Sequence, residues 1–219
     1  RGPDGLWKQY RPEDLATPEA FARDPALVWE WYGWRREKIA ACAPNAAHRV
    51  LVEMEKAALT SGDSGSFTLI TQNVDGLHEA AGSKNILRLH GSIWWTLCES
   101  CAASREDRRV PLPDRVPHCS ACGGRVRPYV IWFGESLDAV TLNRAFAAAR
   151  KARTVLVIGT SNLVMPAAYV PFAAKEAGAR IVEINPERTP LTDHADEFIA
   201  GKAGEELPRW WLKNGPPVV

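Results

Sequence analysis

Two cysteine pairs constrain the fold of this chain more than any other feature of its sequence. Cys98 and Cys101 form one C-x2-C pair, Cys119 and Cys122 form another, and 17 residues separate them. Each C-x2-C turn places two thiolates on one side of a tight knuckle, and two knuckles complete a tetrahedral four-sulfur zinc site. The segment between the pairs is too short to bury a core of its own, so metal binding would supply its folding energy. Because sulfur fills every ligand position, the spacing predicts one structural Zn²⁺; the rival, a pair of disulfides, is disfavoured in a reducing cytosol.

Strand and helix signals alternate in the C-terminal third of the chain. "TVLVIGTS" (154–161) and "ARIVEINP" (179–186) are continuous apolar runs typical of buried strands, and the helical stretch "PAAYVPFAAKEAG" (166–178) lies between them. We expect Pro171 to kink that helix or to delay its start. A strand, a helix and a strand in this order make a βαβ unit, which predicts a parallel sheet covered by helices.

Earlier in the chain the same signals are weaker. The stretches "ALVWEWYGWRREKIAAC" (26–42) and "AAHRVLVEMEKAAL" (46–59) predict helices, and "SFTLITQN" (66–73) and "NILRLHG" (85–91) predict strands. Cys42 stands alone in the first helical pattern, where we expect a small buried side chain. The region from about 94 to 130, with its cysteines, prolines and glycines, predicts a small inserted module.

Three of the predicted strands end in small polar residues. "TQNVDGLH" follows "SFTLI", "GTSNL" follows "TVLVI", and "EINPE" follows "RIV". In α/β folds, nucleotides bind at the carboxyl ends of parallel strands. Gly159, Thr160 and Ser161 could offer N–H and hydroxyl donors to a phosphate, and Asn185 could bind a ribose hydroxyl. Asparagine after a strand is more often a turn former, but together these residues favour a nucleotide site.

His90 lies before a glycine at the end of another predicted strand. The zinc tetrahedron is complete without it, so His90 is not needed as a metal ligand. Two interpretations stay open from the residues alone: a histidine packed in the core, or a general base, for which an ordinary pKa of about 6.5 is well suited.

The charge and hydropathy of the chain exclude some classes of partner. Its 27 basic and 26 acidic residues give a formal net charge of +1, so no global attraction to nucleic acid or membrane is expected. No apolar run approaches the roughly 18 residues that span a bilayer, and no signal peptide opens the sequence. We therefore expect a cytoplasmic protein.

Six stretches of the chain form a recognisable series. In order they are "TQNVDGLH", "LHGS", the four-cysteine segment, "VIWFGE", "GTSNLVMPAA" and "EINPE". Over essentially the whole chain this series resembles the sirtuins, and specifically the class III branch in a bacterial-like form. Sirtuins are NAD-dependent protein-lysine deacylases.

The resemblance implies an α/β fold with a Rossmann-type parallel sheet in the large domain and a small inserted zinc-binding domain. The large domain would comprise residues 1–93 and 131–219, and the small one residues 94–130. The helical segment 20–60 would contribute to the small domain and the acyl pocket. NAD and an acyl-lysine protein or peptide would bind in a cleft between the domains, and we expect a monomer.

The resemblance also assigns roles to individual residues. It implies that His90 is the catalytic base and that Asn73 acts beside it. The implied NAD-binding residues are Arg1, Gln72, Asn73, Asp75, His90, Gly159, Thr160, Ser161, Asn185 and Ala203. The implied contacts to the substrate backbone are Ile131, Trp132, Phe133, Gly134 and Glu135 on one side, and Val164 and Met165 on the other. In the reaction of this family the acyl oxygen attacks the nicotinamide ribose of NAD and nicotinamide is released. His90 would then take a proton from a ribose hydroxyl, and the acyl group ends on ADP-ribose.

Tyr32 and Arg35 bear on which acyl group is removed. At i and i+3 they share one face of the predicted helix. By itself this pattern also fits a tyrosine packed on neighbouring tryptophans and an arginine facing solvent. The resemblance implies instead that the pair marks the class III branch, which removes succinyl and malonyl groups and keeps some deacetylase activity. A guanidinium offers a bidentate fork to the distal carboxylate, and a phenol adds a hydrogen bond.

One feature of the family pattern does not occur in the sequence. Sirtuins open with a strand and a Gly-Ala-Gly-x-Ser loop that cradles the NAD phosphates, whereas this sequence starts at Arg1 without a methionine. We expect the working protein to be longer. Two alternatives to a deacylase remain: an NAD-dependent protein ADP-ribosyltransferase on the same fold and, if the loop is truly absent, an inactive zinc-ribbon binding module.

Overall fold

The computed structural model describes residues 12–60 and 67–215. Its helices, in chain order, are α1 (Pro12–Leu15), α2 (Pro18–Arg23), α3 (Pro25–Ala40), α4 (Ala46–Thr60), α5 (Leu77–Ala81), α6 (Ala139–Lys151), α7 (Tyr169–Glu176) and α8 (Ala203–Asn214). Its strands are β1 (Leu69–Thr71), β2 (Ile86–Arg88), β3 (Gly91–Cys98), β4 (Ser104–Glu106), β5 (Val126–Val130), β6 (Thr154–Ile158), β7 (Arg180–Asn185) and β8 (Glu197–Ala200). A short 3-10 helix covers Thr192–His194.

The described residues form two units. The first, termed the cysteine unit, comprises residues 12–42, 72–76 and 90–137. The second, termed the parallel-sheet unit, comprises residues 43–60, 67–71, 77–89 and 138–215.

The sheet β6-β7-β8 dominates the parallel-sheet unit. Strand β7 lies in the middle and pairs in parallel with β6 and with β8. Its side chains Ile181, Val182 and Ile184 are fully buried, as expected for a central strand of a parallel sheet covered on both faces. Helix α7 connects β6 to β7, so the predicted βαβ unit is confirmed.

Helix α7 begins three residues later than the helical sequence pattern. Its first residue is Tyr169, so Pro171 lies in the first turn. The N–H groups of a first turn have no partner within the helix, and a proline there costs no helical hydrogen bond. Of the two effects expected of Pro171, the delayed start is the one observed.

A second parallel pair, β1-β2, shares its core with the three-stranded sheet. The buried apolar side chains of this core come from α4, β1, β7 and α8, and they are Ala47, Val50, Leu51, Met54, Leu69, Val182, Ile184 and Leu207. Trp210 and Trp211 of α8 pack against the same cluster. This core therefore fixes the ends of β6 and β7, which carry the predicted nucleotide-binding residues.

The cysteine unit is built on an antiparallel sheet with β3 at its centre, between β4 and β5. Aromatic residues of α2 and α3 fill the core beside it, and the Trp29 indole N–H donates to the Val126 carbonyl at 2.8 Å. Helix α3 has almost no segregation of polar from apolar residues, yet it buries Trp29, Trp31 and Tyr32 together with two arginines. This helix brings the predicted acyl-binding pair into the unit.

The structure confirms the predicted fold class. Parallel strands with α-helical connections and a cluster of four cysteine thiols occur together in one α/β chain. The expectation for Cys42 was wrong: α3 ends at Ala40, and Cys42 lies exposed beyond it. Among the helices of the described residues, none has both the length and the apolar composition needed to cross a membrane. The predicted domain boundaries remain a prediction.

Candidate functional site

In the cysteine unit, the polar segment 72–76 is held against the start of β3. The His90 ring lies beside the Gln72 carbonyl, the Ile93 N–H donates to the Val74 carbonyl at 2.9 Å, and the Trp94 indole N–H donates to the Asp75 carbonyl at 2.6 Å. Three contacts in five residues fix the backbone of the segment. Gln72, Asn73 and Asp75, which were predicted to bind NAD, therefore lie on a segment that contacts His90.

His90 occupies the turn between β2 and β3. Its Nδ1 lies 3.2 Å from the Gln72 carbonyl oxygen, and its own carbonyl accepts a hydrogen bond from the Ile131 N–H. A carbonyl can only accept, so this contact places the ring proton on Nδ1 and leaves Nε2 with a lone pair. Burial lowers the pKa of the His90 imidazole, although the contact with Gln72 offsets part of the shift. The ring is therefore neutral and oriented near pH 7, as a general base must be.

Gly91, which follows His90, allows strand β5 to approach the start of β3 closely. Its φ is +77°, and a Cβ at this position would lie 2.3 Å from the Tyr129 carbonyl oxygen of β5. No side chain fits there, so close packing explains the glycine that follows His90 in the "LHG" sequence.

The predicted acyl-binding pair lies in the aromatic core of the cysteine unit. Tyr32 is 1% exposed and Arg35 is 7% exposed. The Arg35 guanidinium carbon lies 4.7 Å from the Trp31 ring centroid and 5.2 Å from that of Tyr32. Tyr32 does pack edge-on against Trp31, but the alternative in which Arg35 faces solvent is excluded. The two side chains form one buried, positively charged group.

Burial changes the titration of both members of this pair. It raises the pKa of the Tyr32 phenol, and the neighbouring Arg35 and Trp132 offset part of that rise. It lowers the pKa of the Arg35 guanidinium, with Tyr32 and then Asp75 acting in the opposite direction. At neutral pH the phenol is therefore a hydrogen-bond donor and the guanidinium a cation in a poorly solvated place, where an anion is bound strongly.

Hydrogen bonds fix the segment 131–135 at several positions. The Phe133 N–H donates to the Ala16 carbonyl at 2.9 Å, and the Glu135 carboxylate accepts from the Trp132 N–H at 2.7 Å. Glu135 also forms a bidentate ion pair with Arg127, at 2.5 and 2.9 Å. The Glu135 side chain is thus engaged inside the unit, whereas Phe133 and Gly134 are exposed. Of the predicted substrate-binding residues on this segment, these two are the accessible ones, together with the half-buried Ile131.

The four cysteines converge as their spacing predicts. All four sulfur atoms lie within 4.8 Å of one another, with 3.5 Å between Cys98 and Cys122 and 3.8 Å between Cys101 and Cys119. Four Zn–S bonds of about 2.3 Å in a tetrahedron would separate the sulfur atoms by roughly 3.8 Å. The geometry and the donor set therefore both fit a structural Zn²⁺.

Hydrogen bonds shift the pKa values of the thiols in this cluster in opposite directions. Hydrogen bonds from the backbone, first from Cys101, lower the pKa of the Cys98 thiol to about 6. The Gly124 N–H lowers the pKa of Cys122, but hydrogen bonds with the Cys101 and Cys98 sulfurs outweigh it and raise the value to about 12. Zinc binding would displace the remaining thiol protons, and its charge would stabilise the four thiolates.

In the parallel-sheet unit, the ends of β6 and β7 meet as predicted. The Gly159 N–H donates to the Ile184 carbonyl, and the Asn185 side-chain amide donates to the Thr160 carbonyl at 2.8 Å. Gly159 has φ +61°, and a Cβ there would meet open space, so the glycine serves the backbone conformation. Thr160, Ser161 and Asn185 are half-buried at this edge. A small-residue turn of this kind fits a nucleotide phosphate.

Other predicted residues of this unit lie on separate elements. Ala203 is the first residue of α8, and Val164 is half-buried in the loop before α7. The prediction for Arg1 lies outside the described residues.

Two residues that hold these sites together are absent from the sequence prediction. They are Arg127, beside Glu135, and Glu183, which is fully buried in β7 and accepts hydrogen bonds from Thr189 and Thr192. Trp132 was expected only as part of the substrate-binding segment, and its contact with Tyr32 was not predicted. A charged residue within an apolar strand run, as in "RIVEIN", is the one signal that could have drawn attention to Glu183.

Comparison with known proteins gives consistent results. The model of the Sir2 family matches residues 1–166. A NAD-dependent protein deacylase of Aquifex aeolicus is 51% identical over 207 residues, which cover 94% of this chain and 84% of the relative. A NAD-dependent protein deacylase of Pyrococcus furiosus is 50% identical over 214 residues, which cover 95% of this chain and 83% of the relative.

Solved structures resemble this one over nearly its whole length. The crystal structure of a Sir2 homolog–NAD complex has a TM-score of 0.88 and 48% identity, and the match covers 97% of this chain and 82% of that one. A Sir2 structure with a bound propionylated peptide has a TM-score of 0.82 and 27% identity, with 94% and 86% covered.

Proposed function

Because this chain belongs to the Sir2 family, we propose that it is a NAD-dependent protein deacylase that removes acyl groups from lysine side chains. The relatives at about 50% identity are named for that activity, and the match extends over more than nine-tenths of the chain. A structural neighbour that holds a propionylated peptide supports an acylated peptide as the substrate.

His90 is the proposed general base of the reaction. The Gln72 carbonyl orients its ring, and partial burial keeps the ring neutral, so Nε2 can accept a proton near pH 7. Asn73 is on the segment that His90 helps to fix, and it is the proposed second catalytic residue.

The proposed NAD-binding residues are those of the two polar clusters, namely Gln72, Asn73 and Asp75 in the cysteine unit and Gly159, Thr160, Ser161, Asn185 and Ala203 in the parallel-sheet unit. NAD, when bound, supplies the ADP-ribosyl group that receives the acyl group. A Zn²⁺ bound by Cys98, Cys101, Cys119 and Cys122 would hold the cysteine knuckles together and would take no part in the chemistry, since sulfur would fill its four positions.

The finer proposal is that this deacylase prefers acyl groups that end in a carboxylate, such as succinyl and malonyl, and removes acetyl groups more slowly. The observation that carries it is the buried Tyr32–Arg35 pair. A distal carboxylate placed here would receive both the guanidinium fork and the phenol hydrogen bond, in a poorly solvated place where such charge-assisted bonds are strong. An acetyl group offers no such partner.

A structural role of Arg35 is the competing explanation. The Asp75 carboxylate contributes to the electrostatic stabilisation of Arg35, so the arginine could serve mainly to hold the segment 72–76. Its removal would then damage the NAD site and slow the reaction with every acyl group equally.

Arg35→Met separates these two roles. We expect kcat/KM for a succinyl-lysine peptide to fall at least about tenfold relative to that for an acetyl-lysine peptide of the same sequence. Arg36→Met is the matched control, because the neighbouring Arg36 is also buried on α3 but donates to the Ile93 carbonyl at 2.9 Å. In that variant the two activities should fall by the same factor. An equal loss of both activities in Arg35→Met would refute the carboxylate preference.

A further inference from the structure

Trp132 links the predicted substrate-binding segment 131–135 to the Tyr32–Arg35 pair. Its side chain is 3% exposed, and its indole Nε1 lies 2.9 Å from the Tyr32 hydroxyl oxygen, although the two residues are 100 positions apart in sequence. The segment that carries Trp132 was expected to contact the substrate through its backbone, but no role was assigned to the buried indole side chain.

The orientation of the Trp132 ring is closely determined. The Arg127 guanidinium carbon lies 3.4 Å from the ring centroid, and the Phe21 ring lies 5.3 Å away. Glu135 accepts the Trp132 backbone N–H at 2.7 Å and binds the same arginine through both oxygens. Arg127 also donates to the Val130 carbonyl. The ring cannot turn without breaking this arrangement.

This fixed ring determines what the Tyr32 hydroxyl can do. A phenol can either donate or accept, whereas an indole N–H can only donate. Tyr32 must therefore accept from Trp132, and Arg35, which also carries only donors, cannot take the phenol proton. The proton is directed toward an acceptor, and a carboxylate is the strongest acceptor that an acyl-lysine substrate can bring.

We infer that Trp132 is a specificity-determining positioning residue, which holds Tyr32 as a donor to the distal carboxylate of the acyl group. This inference rests on the proposed preference for dicarboxylic acyl groups. It adds that the preference depends on a third residue, one whose side chain does not touch the substrate.

The test is the double-mutant cycle of Trp132→Phe and Tyr32→Phe. Phenylalanine at 132 keeps an aromatic ring beside Arg127 and Phe21 but removes the N–H. We expect the succinyl-to-acetyl ratio of kcat/KM to fall about five- to tenfold in W132F, mainly through the KM of the succinyl peptide. In the Y32F background the same substitution should change that ratio less than about twofold, because the hydroxyl on which it acts is gone.

Other outcomes overturn the inference. If W132F leaves the ratio unchanged, or if its effect is the same with and without the Tyr32 hydroxyl, Trp132 has only a packing role. Should W132F fail to fold, Arg127→Lys provides a second route, since it keeps the charge opposite Glu135 but removes the flat contact with the indole. Arg127→Lys should lower the succinyl-to-acetyl ratio of kcat/KM, as expected for W132F, and an unchanged ratio would contradict the inference.

Failure of the underlying proposal gives a different result. If the parent protein shows no preference for succinyl over acetyl peptides and Y32F does not alter the ratio, the dicarboxylate preference itself is wrong. If the parent protein and Y32F behave as proposed and W132F alone does not, only the role of Trp132 is lost.

Discussion

The Nδ1 atom of His90 lies 3.2 Å from the carbonyl oxygen of Gln72, on the same short segment that carries Asn73 and Asp75. One contact thus orients the proposed base and fixes part of a segment that is proposed to bind NAD. Because a backbone carbonyl cannot donate, the contact also selects the tautomer in which Nε2 is free to accept a proton.

The first prediction concerns pH. Burial lowers the pKa of His90, so the neutral, basic form persists below the ordinary histidine pKa of about 6.5. We expect kcat/KM to be constant above that value and to fall only as the pH drops through the lowered pKa. A pH–rate profile with NAD and peptide measures this. His90→Ala should reduce the rate roughly 10²- to 10⁴-fold and remove the acidic limb from the profile. An acidic limb centred well above pH 6.5 would contradict the assignment.

The second prediction concerns the metal. We expect one zinc per chain by elemental analysis and its loss in Cys101→Ser, with a fall in the thermal midpoint of more than about 10 °C. Cys42→Ser is the matched control: Cys42 is exposed outside the cluster, and its replacement should leave both the zinc content and the midpoint unchanged. Retention of full zinc content and stability in Cys101→Ser would show that the four cysteines are not the ligand set.

The third prediction concerns Glu183, the buried carboxylate in the middle of β7. It accepts hydrogen bonds from Thr189 at 2.5 Å and from Thr192 at 2.6 Å, and Asn162 of the predicted phosphate turn lies 3.5 Å away. Asn162 itself has φ +52°, a conformation that needs support from its surroundings. Glu183 therefore ties the turn after β6 to the loop after β7.

Glu183→Gln should destabilise the protein by about 1–3 kcal/mol and raise the KM for NAD roughly three- to tenfold, with little change in the KM for peptide. Denaturant unfolding and steady-state kinetics measure the two effects. Glu187→Gln is the control, since Glu187 is exposed shortly after the same strand. Equal changes in the KM for both substrates would indicate general damage to the fold and no specific support of the phosphate turn.

The sequence predicted the parts of the fold that local pattern determines. The apolar runs of β6 and β7 predicted the two strands of the βαβ unit, because burial in a parallel sheet demands such runs. Pro171 predicted the delayed start of α7, because a proline affects the helix in which it lies. The cysteine cluster was equally local, since its spacing encodes its geometry.

Contacts between distant segments could not be predicted from the sequence. Nothing near Tyr32 indicates that an indole 100 residues away donates to its hydroxyl, and nothing in "RPYVIWFGE" shows that Arg127 reaches both Glu135 and the face of Trp132. Polar and apolar residues are mixed around α3, so the sequence pattern was equally consistent with a solvent-facing Arg35 and a buried one. Such choices depend on the tertiary neighbours, which no single segment contains.

The measurement that tests the central claim most directly is nicotinamide release from NAD with paired succinyl-lysine and acetyl-lysine peptides of one sequence. We predict release that depends on the acylated peptide, with kcat/KM at least about tenfold higher for the succinyl peptide because its carboxylate reaches Tyr32 and Arg35. Equal rates, or a preference for acetyl, would contradict the dicarboxylate pocket. Transfer of ADP-ribose to protein without any acyl-lysine requirement would contradict the deacylase function itself.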